Sequence, residues 1–328
     1  MAWRIGVIGG GMMGAIHARA WRASGHGDVV AVHDLDAAVA QRLATATGAA
    51  VTLDLDDLLQ RVDAISVCTP PDAHAAAVGA AASRGVHVLL EKPSARTLAE
   101  HDAIADAVRG SAALVMVGTT SRFYPESRAA KARLERDGEP LIALRERVRL
   151  DHAGLPAWYG DPAIAGGGVT LTNGIHAIDR MLWLSGAERA EVRGVTMHPE
   201  PLLETIADLH LRLRGGAVSE AGLPAHLQLV WQRGVRGASS LELVRARDTI
   251  NVDTWSRFEV DGPDPELLEP YPAEATFEER TEIGIRAQID ALVAAAAGAA
   301  PLESGLDEHR RALAAIDAAY RAAQGGRP

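Results

Sequence analysis

Up to about residue 120, apolar positions come in short β-branched runs separated by alanine-rich amphipathic stretches. The runs Ile5–Ile8, Val29–Val32, Ala64–Cys68, Val86–Leu90 and Leu114–Val117 predict strands. Met13–Ser24, Ala37–Thr47, Ala73–Ser83 and Leu98–Val108 predict the helices between them. Such alternation describes βαβ units around a parallel sheet. Beyond Arg122-Phe123-Tyr124-Pro125 and a helix over Glu126–Arg136, the period changes. Leu141–Leu150, Ala190–His198, Ile206–Leu213, His226–Gln232 and Ser239–Ala246 alternate as strands of an open, mostly antiparallel sheet with one polar face. Helices over Thr172–Leu184, Glu282–Ala297 and Leu306–Ala323 would cover its other face. The expected fold is α/β: a parallel-sheet domain over 1–120, then an α+β domain over 121–328 built on an open-faced sheet.

Composition narrows the class. A length of 328 residues fits two domains, and 48% hydrophobic with 23% charged residues is ordinary globular usage. A net charge of −10 and the lack of any Lys/Arg-rich run argue against nucleic-acid binding. The weakly polar stretch Leu292 to Ala300 is too short to span a bilayer. The first residues lead directly into a strand, so no signal peptide is expected. The single cysteine, Cys68, excludes an internal disulfide and fits a reducing cytoplasm; inside its apolar run it is expected to be an inert thiol.

Gly9-Gly10-Gly11-Met12-Met13-Gly14 places G-x-G-x-x-G after a strand and at the start of a helix. Gly9 permits the tight turn, Gly11 lets backbone approach a pyrophosphate, and Gly14 allows close helix–strand packing, with Met12 and Met13 opening the helix. Asp34 follows at the end of the second strand, 20 residues after Gly14. Its carboxylate suits ribose hydroxyls and would repel a 2′-phosphate, and no Arg or Lys follows until Arg42, so NAD is favoured over NADP. The competing role for Asp34 is a helix N-cap, for which Asp36 is better placed.

Three further segments carry candidate chemistry. Thr69-Pro70-Pro71-Asp72-Ala73-His74 ends a strand and begins a helix. Thr69 and Pro70 would border the cofactor, and His74 would face it or make a structural hydrogen bond. Glu91-Lys92-Pro93 ends the run Val86–Leu90, where a parallel strand opens into the ligand crevice. The bland alternative is a strand-end ion pair. In Gly166–Asp179, a helix from Thr172 would put Thr172, His176 and Asp179 on one face, with Asn173 beside them. Histidine exchanges protons near neutral pH, as carbonyl–alcohol interconversion requires. Trp158-Tyr159 would line a sugar pocket or pack at a domain edge. The 12 histidines show no H-E-x-x-H and no spacing with cysteine, so no metal site is expected.

In order along nearly the whole chain, Gly9–Gly14 with His17, Thr69-Pro70 with His74, Glu91-Lys92-Pro93, Arg122-Phe123-Tyr124-Pro125, Gly166–Asp179 and Pro301–Gly305 resemble the blocks of the Gfo/Idh/MocA oxidoreductases. The Glu-Lys-Pro block combined with the glycine-rich block ending in histidine is the specific part. The resemblance implies a Rossmann domain, an open-faced sheet domain, a nicotinamide cofactor and a sugar, cyclitol or nucleotide-sugar substrate. Lys92 would be the catalytic lysine and His176 the acid/base, with Arg122 also near substrate. Two other outcomes stay open: a glycosidase-type elimination that returns its hydride, and a non-catalytic NAD-sensing protein. Inositol-dehydrogenase-like members carry an aspartate four residues before the histidine; here Thr172 stands there, which argues against inositol itself. An uncovered sheet face would expose apolar surface, which points to a homodimer or homotetramer built on strands between Ala190 and Ala246.

Overall fold

The computed structural model describes residues 2–325 and divides into two compact units. The first runs to Thr120 and takes in Thr276–His309. Its parallel strands are β1 (Trp3–Ile8), β2 (Gly27–His33), β3 (Ala50–Val51), β4 (Ala64–Val67), β5 (His87–Leu90) and β6 (Val115–Val117). They lie in the order β3-β2-β1-β4-β5-β6, so direction of travel reverses between β1 and β4. That reversal opens a crevice at the carboxyl ends of the two strands. Ile5, Val7, Ile65, Val67, Val88 and Leu90 fill the sheet's core. Asp36 caps the helix Ala37–Thr47 by accepting from Ala38 N–H and Val39 N–H, and Gly48 closes it in the left-handed conformation. β3 and the helix Leu55–Leu59 are too short for a periodic pattern to announce them.

Neither unit is continuous in sequence: the stretch Thr276–His309 lies inside the span 121–328 but belongs to the first unit. The helix Phe277–Ala296, started by a Thr276/Glu279 capping box, returns to the first unit. Arg19 and His26 bond Glu282 and Asp290 at 2.9 and 3.0 Å, and Ser304 O accepts from Val117 N–H at 2.8 Å. Such a return is set by tertiary packing and leaves no break in local sequence pattern.

The second unit comprises Ser121–Ala275 and the segment from Arg310 onward. Its sheet contains β7 (Ala143–Leu150), β8 (Arg189–His198), β9 (Ile206–Arg214), β10 (Leu223–Trp231), β11 (Ala238–Val244), β12 (Thr249–Asp253), β13 (Arg257–Asp261) and β14 (Glu266–Leu268). The order is β14-β13-β12-β11-β7-β10-β9-β8, antiparallel except where β7 meets β10. Leu209, Leu211, Leu227, Leu229, Leu241 and Phe258 alternate onto the buried face. The opposite face carries Arg145, Arg147, Asp208, His210, His226 and Gln228 instead. The uncovered face is therefore polar, and the expectation of exposed apolar surface there is corrected: strand alternation sends the leucines to the other side. Among the described residues no helix is long and apolar enough to cross a membrane.

Candidate active site

In the first unit, β1 ends at Ile8 and the chain turns at Gly9, whose φ of 90° suits glycine. A Cβ on Gly14 would lie 2.0 Å from Gly9 O, so the helix Met12–Ser24 can cross the loop only without one. Gly11 differs: nothing lies within 4 Å of where its Cβ would point. That open side, at a helix N-terminus, is room for an approaching phosphate. Asp34 Oδ2 accepts from Gly10 N–H at 2.7 Å, and Oδ1 accepts from Asp36 N–H at 2.8 Å. The carboxylate thus holds the glycine loop. Asp36, not Asp34, is the helix cap. Met12 is exposed and Met13 half-buried; Arg42 lines the same cleft as Gly10, Gly11 and Met12, closer than its sequence position suggested.

At the ends of β4 and β5, His74 is fully buried, with Nε2 2.9 Å from Thr69 O and Nδ1 3.2 Å from Ser94 O. Burial lowers its basicity against the pull of those carbonyls. The ring ties the Thr69-Pro70 loop to the segment after Lys92, which is the structural of its two expected roles. Glu91 is also buried: its Oε1 accepts from His17 Nε2–H and its Oε2 from Lys92 N–H, both at 3.1 Å. Burial alone would raise this carboxyl, but the His17 hydrogen bond and the charges of His17 and Lys92 outweigh it and hold the pKa low. Lys92 is half-buried, and burial lowers its pKa against the attraction of Glu91. Burial, aided by Glu91, pushes the Cys68 thiol well up, although the residue is half-buried and not fully enclosed in its apolar run.

In the second unit, the glycine triplet is a packing device. A Cβ on Gly167 would lie 2.2 Å from Tyr320 Oη, and one on Gly168 2.2 Å from Glu204 O. Glu204 Oε1 accepts from Thr170 N–H at 3.0 Å and Tyr320 O–H at 2.9 Å. Next comes a π-helical turn, Thr170–Gly174, and then the helix Ile175–Ser185. The wide turn shifts the expected face. Asn173, His176 and Arg180 line one cavity with Glu146, Thr254 and Trp255, whereas Thr172 and Asp179 lie outside its lining.

Asp179 meets Arg122 instead. Both are buried, with Nε–Oδ2 at 2.5 Å and Nη2–Oδ1 at 2.6 Å. Two residues expected to face substrate thus face each other. Trp231 Nε1–H donates to Asn173 Oδ1 at 2.7 Å, leaving the Asn173 amide N–H groups as donors. Trp158 and Tyr159 stack at 3.9 Å, and Tyr159 meets Trp231 edge-on at 6.2 Å.

Sequence reasoning missed Glu146 and Arg180, which pair at 2.5 Å at 2% and 1% side-chain exposure. Burial raises the Glu146 pKa against the attraction of Arg180. A signal existed: Leu144, Glu146 and Val148 occupy successive inward positions of β7, and a carboxylate there breaks the alternation.

Residues 3–119 match the family model described as an oxidoreductase family with an NAD-binding Rossmann fold, and residues 142–227 match the GFO/IDH/MocA C-terminal domain. Inositol 2-dehydrogenase 2 of Paenarthrobacter aurescens (strain TC1) is 30% identical over 326 residues, 94% of this chain and 92% of that protein. The chain belongs to the Gfo/Idh/MocA family. Its first unit is accordingly an NAD-binding Rossmann domain. The rhizopine catabolism protein MocA of Rhizobium meliloti is 30% identical over 207 residues, 59% of this chain and 61% of that protein. Inositol 2-dehydrogenase of Rhizobium meliloti (strain 1021) is 31% identical over 193 residues, 58% of each chain. The chain thus matches about three fifths of the length of these two relatives. An oxidoreductase domain protein from Kribbella flavida shares the fold at TM-score 0.86 and 24% identity, covering 99% of this Gfo/Idh/MocA chain and 98% of that one. Levoglucosan dehydrogenase, in complex with NADH and levoglucosan, does so at TM-score 0.85 and 20% identity, covering 99% and 98%.

Proposed function

We propose that this protein is an NAD-dependent oxidoreductase. It would transfer a hydride between the nicotinamide and a secondary alcohol or ketone of a sugar, cyclitol or related ring. The observation that carries the reading is Lys92: a lysine of lowered basicity at the carboxyl end of β5, behind which Glu91 is locked by His17. A lysine whose charge is costly to keep is suited to a changing charge on a substrate oxygen. Names support it too, since relatives are called inositol 2-dehydrogenase and UDP-N-acetylglucosamine 3-dehydrogenase.

The residues fit the cofactor. Gly9 and Gly14 shape the loop, Gly11 leaves it open, and Met12 and Met13 begin the helix whose N-terminus faces that opening. Asp34 would accept from the adenosine ribose while steadying Gly10, and Thr69 and Pro70 would border the nicotinamide side, with His74 holding the Thr69 carbonyl and Glu91 seated beside Lys92. Bound NAD supplies the hydride acceptor. His176 takes the hydroxyl proton, and the Lys92 ammonium stabilises the oxygen as it gains charge. Asn173 offers amide donors to a ring hydroxyl, and Trp158 with Tyr159 offers apolar faces to the ring. Arg122 and Asp179 brace the helix that carries His176. We further infer a cytoplasmic homodimer or homotetramer.

Screening purified protein with NAD against polyols, sugars and aminosugars tests the reading through NADH formation. The expected result is turnover on a ring polyol or sugar other than inositol. Bond cleavage without net NADH would transfer the assignment to hydride-returning elimination. Tight NAD binding with no chemistry on any substrate would make it a sensor.

A further inference from the structure

The uncovered face of the second unit's sheet holds a cluster outside the cavity of His176. Asp208 and His210 are two residues apart on β9, so both side chains point to the same face. On β10, His226 lies directly opposite His210 in the antiparallel register. One ligating atom from each of Asp208, His210 and His226 lies within 4.8 Å of the others. His226 Nε2 is 3.0 Å and His210 Nε2 3.4 Å from the same oxygen, Asp208 Oδ1. The two imidazoles stack with centroids 4.8 Å apart. Opposite His210 on the other side, β8 contributes Gly194, which places no side chain over the ring.

From this geometry we infer a binding site for a divalent transition ion of the zinc type, with three protein ligands and one open position. Zinc bonds to imidazole nitrogen and carboxylate oxygen run about 2.0–2.2 Å, so neighbouring ligand atoms in a tetrahedral site sit roughly 3.3 Å apart. Two of the three edges here, 3.0 and 3.4 Å, already have that length. The third pair of ligand atoms lies within 4.8 Å, on a half-exposed His226 and an exposed His210. Two imidazoles and a carboxylate select zinc, cobalt, nickel or copper over calcium or magnesium, which prefer oxygen donors. Gln228 Nε2 lies 3.5 Å from Asp208 Oδ2, placed to steady the carboxylate from behind. Linear spacing concealed the cluster because the third ligand comes from across a strand pair. Leu209 and Leu227, the strand neighbours of these ligands, point to the opposite, buried face.

Chelator-treated full-length protein titrated with Zn²⁺ by calorimetry, and with Co²⁺ by visible absorption, tests the site. The expected result is one ion per chain and a Co²⁺ spectrum of four- or five-coordinate type. His210→Ala, His226→Ala and Asp208→Asn should each weaken Zn²⁺ binding at least about tenfold. The three positions lie on the sheet face away from the buried leucines, and circular dichroism with light scattering would verify that each variant folds and keeps its state of assembly. Affinity unchanged in all three variants, or no stoichiometric Zn²⁺ uptake by the wild type, overturns the inference. Because the readout is metal binding alone, its failure leaves the proposed hydride transfer untouched.

Discussion

Arg122 and Asp179 form a two-pronged ion pair in the interior of the second unit, at 2.5 and 2.6 Å with side-chain exposures of 4% and 1%. Two parallel N–H···O bonds fix the orientation of both groups, and the arrangement pins the helix Ile175–Ser185 to the segment at Ser121–Tyr124. Ser121 Oγ–H adds a bond to His176 O at 3.1 Å from the same segment. Removing one partner strands a buried charge. Asp179→Ala should therefore destabilise the protein by about 3–5 kcal/mol in urea unfolding. A loss under about 1 kcal/mol would show that the pair does not brace the helix.

The two glycines of the nucleotide loop should respond in opposite ways. Gly14→Ala places a carbon 2.0 Å from Gly9 O and should lower the melting temperature of the apoprotein. Gly11→Ala meets nothing within 4 Å, so stability should hold while NAD affinity falls. Thermal melts with and without NAD separate the effects. Unchanged NAD affinity in Gly11→Ala would remove that glycine from the cofactor site.

Cofactor preference follows from Asp34. Its carboxylate should favour NAD over NADP by roughly tenfold or more in dissociation constant. Asp34→Ala should narrow that gap, and it should also weaken NAD because Gly10 N–H loses its acceptor. Arg42 on the same cleft is the counterweight, so Asp34→Ala/Arg42→Ala should bind NADP less tightly than Asp34→Ala alone. Equal wild-type affinities for the two cofactors would refute the preference.

Lys92 and His176 carry the proposed chemistry. Lys92→Met and His176→Ala should each lower kcat by roughly 10²-fold or more on the true substrate. Near wild-type turnover in either variant would clear that residue of its role. Stability should move the other way at Lys92. Its folded pKa is lowered, chiefly by burial, so between the folded and unfolded values the unfolded chain binds more protons and stability rises with pH. Below the folded value the burial cost of the ammonium is fully present. Lys92→Met should therefore melt higher than wild type at neutral pH, and the difference should shrink as pH rises through the lysine's titration.

A homodimer or homotetramer should appear by light scattering at micromolar concentration. Because the uncovered sheet face carries Arg145, Arg147, Asp208 and His210 rather than leucines, contacts made through it should weaken at high salt. A monomer at low salt would end the proposal.

The sequence alone determined the parts whose signals are local. Apolar period marked β1, β2, β4, β5 and β6 and the longer helices between them, and the glycine spacing with Asp34 marked the nucleotide loop. Glu91-Lys92-Pro93 stood out as a charged pair at the end of an apolar run, with a strand-end ion pair as its competing use. Tertiary structure decided where polar side chains find partners. Thr172 lies outside the cavity lining where Thr170–Gly174 winds as a π-turn, and Asp179, in the regular helix beyond that turn, meets a buried counter-charge in Arg122. Glu146 with Arg180, and Asp208 with His210 and His226, are constellations of cross-strand register and helix packing. The return of Phe277–Ala296 to the first unit is of the same kind. Propensity and periodicity act over a few residues, whereas these pairings span 16 residues or more and exist only once the sheets have set their order.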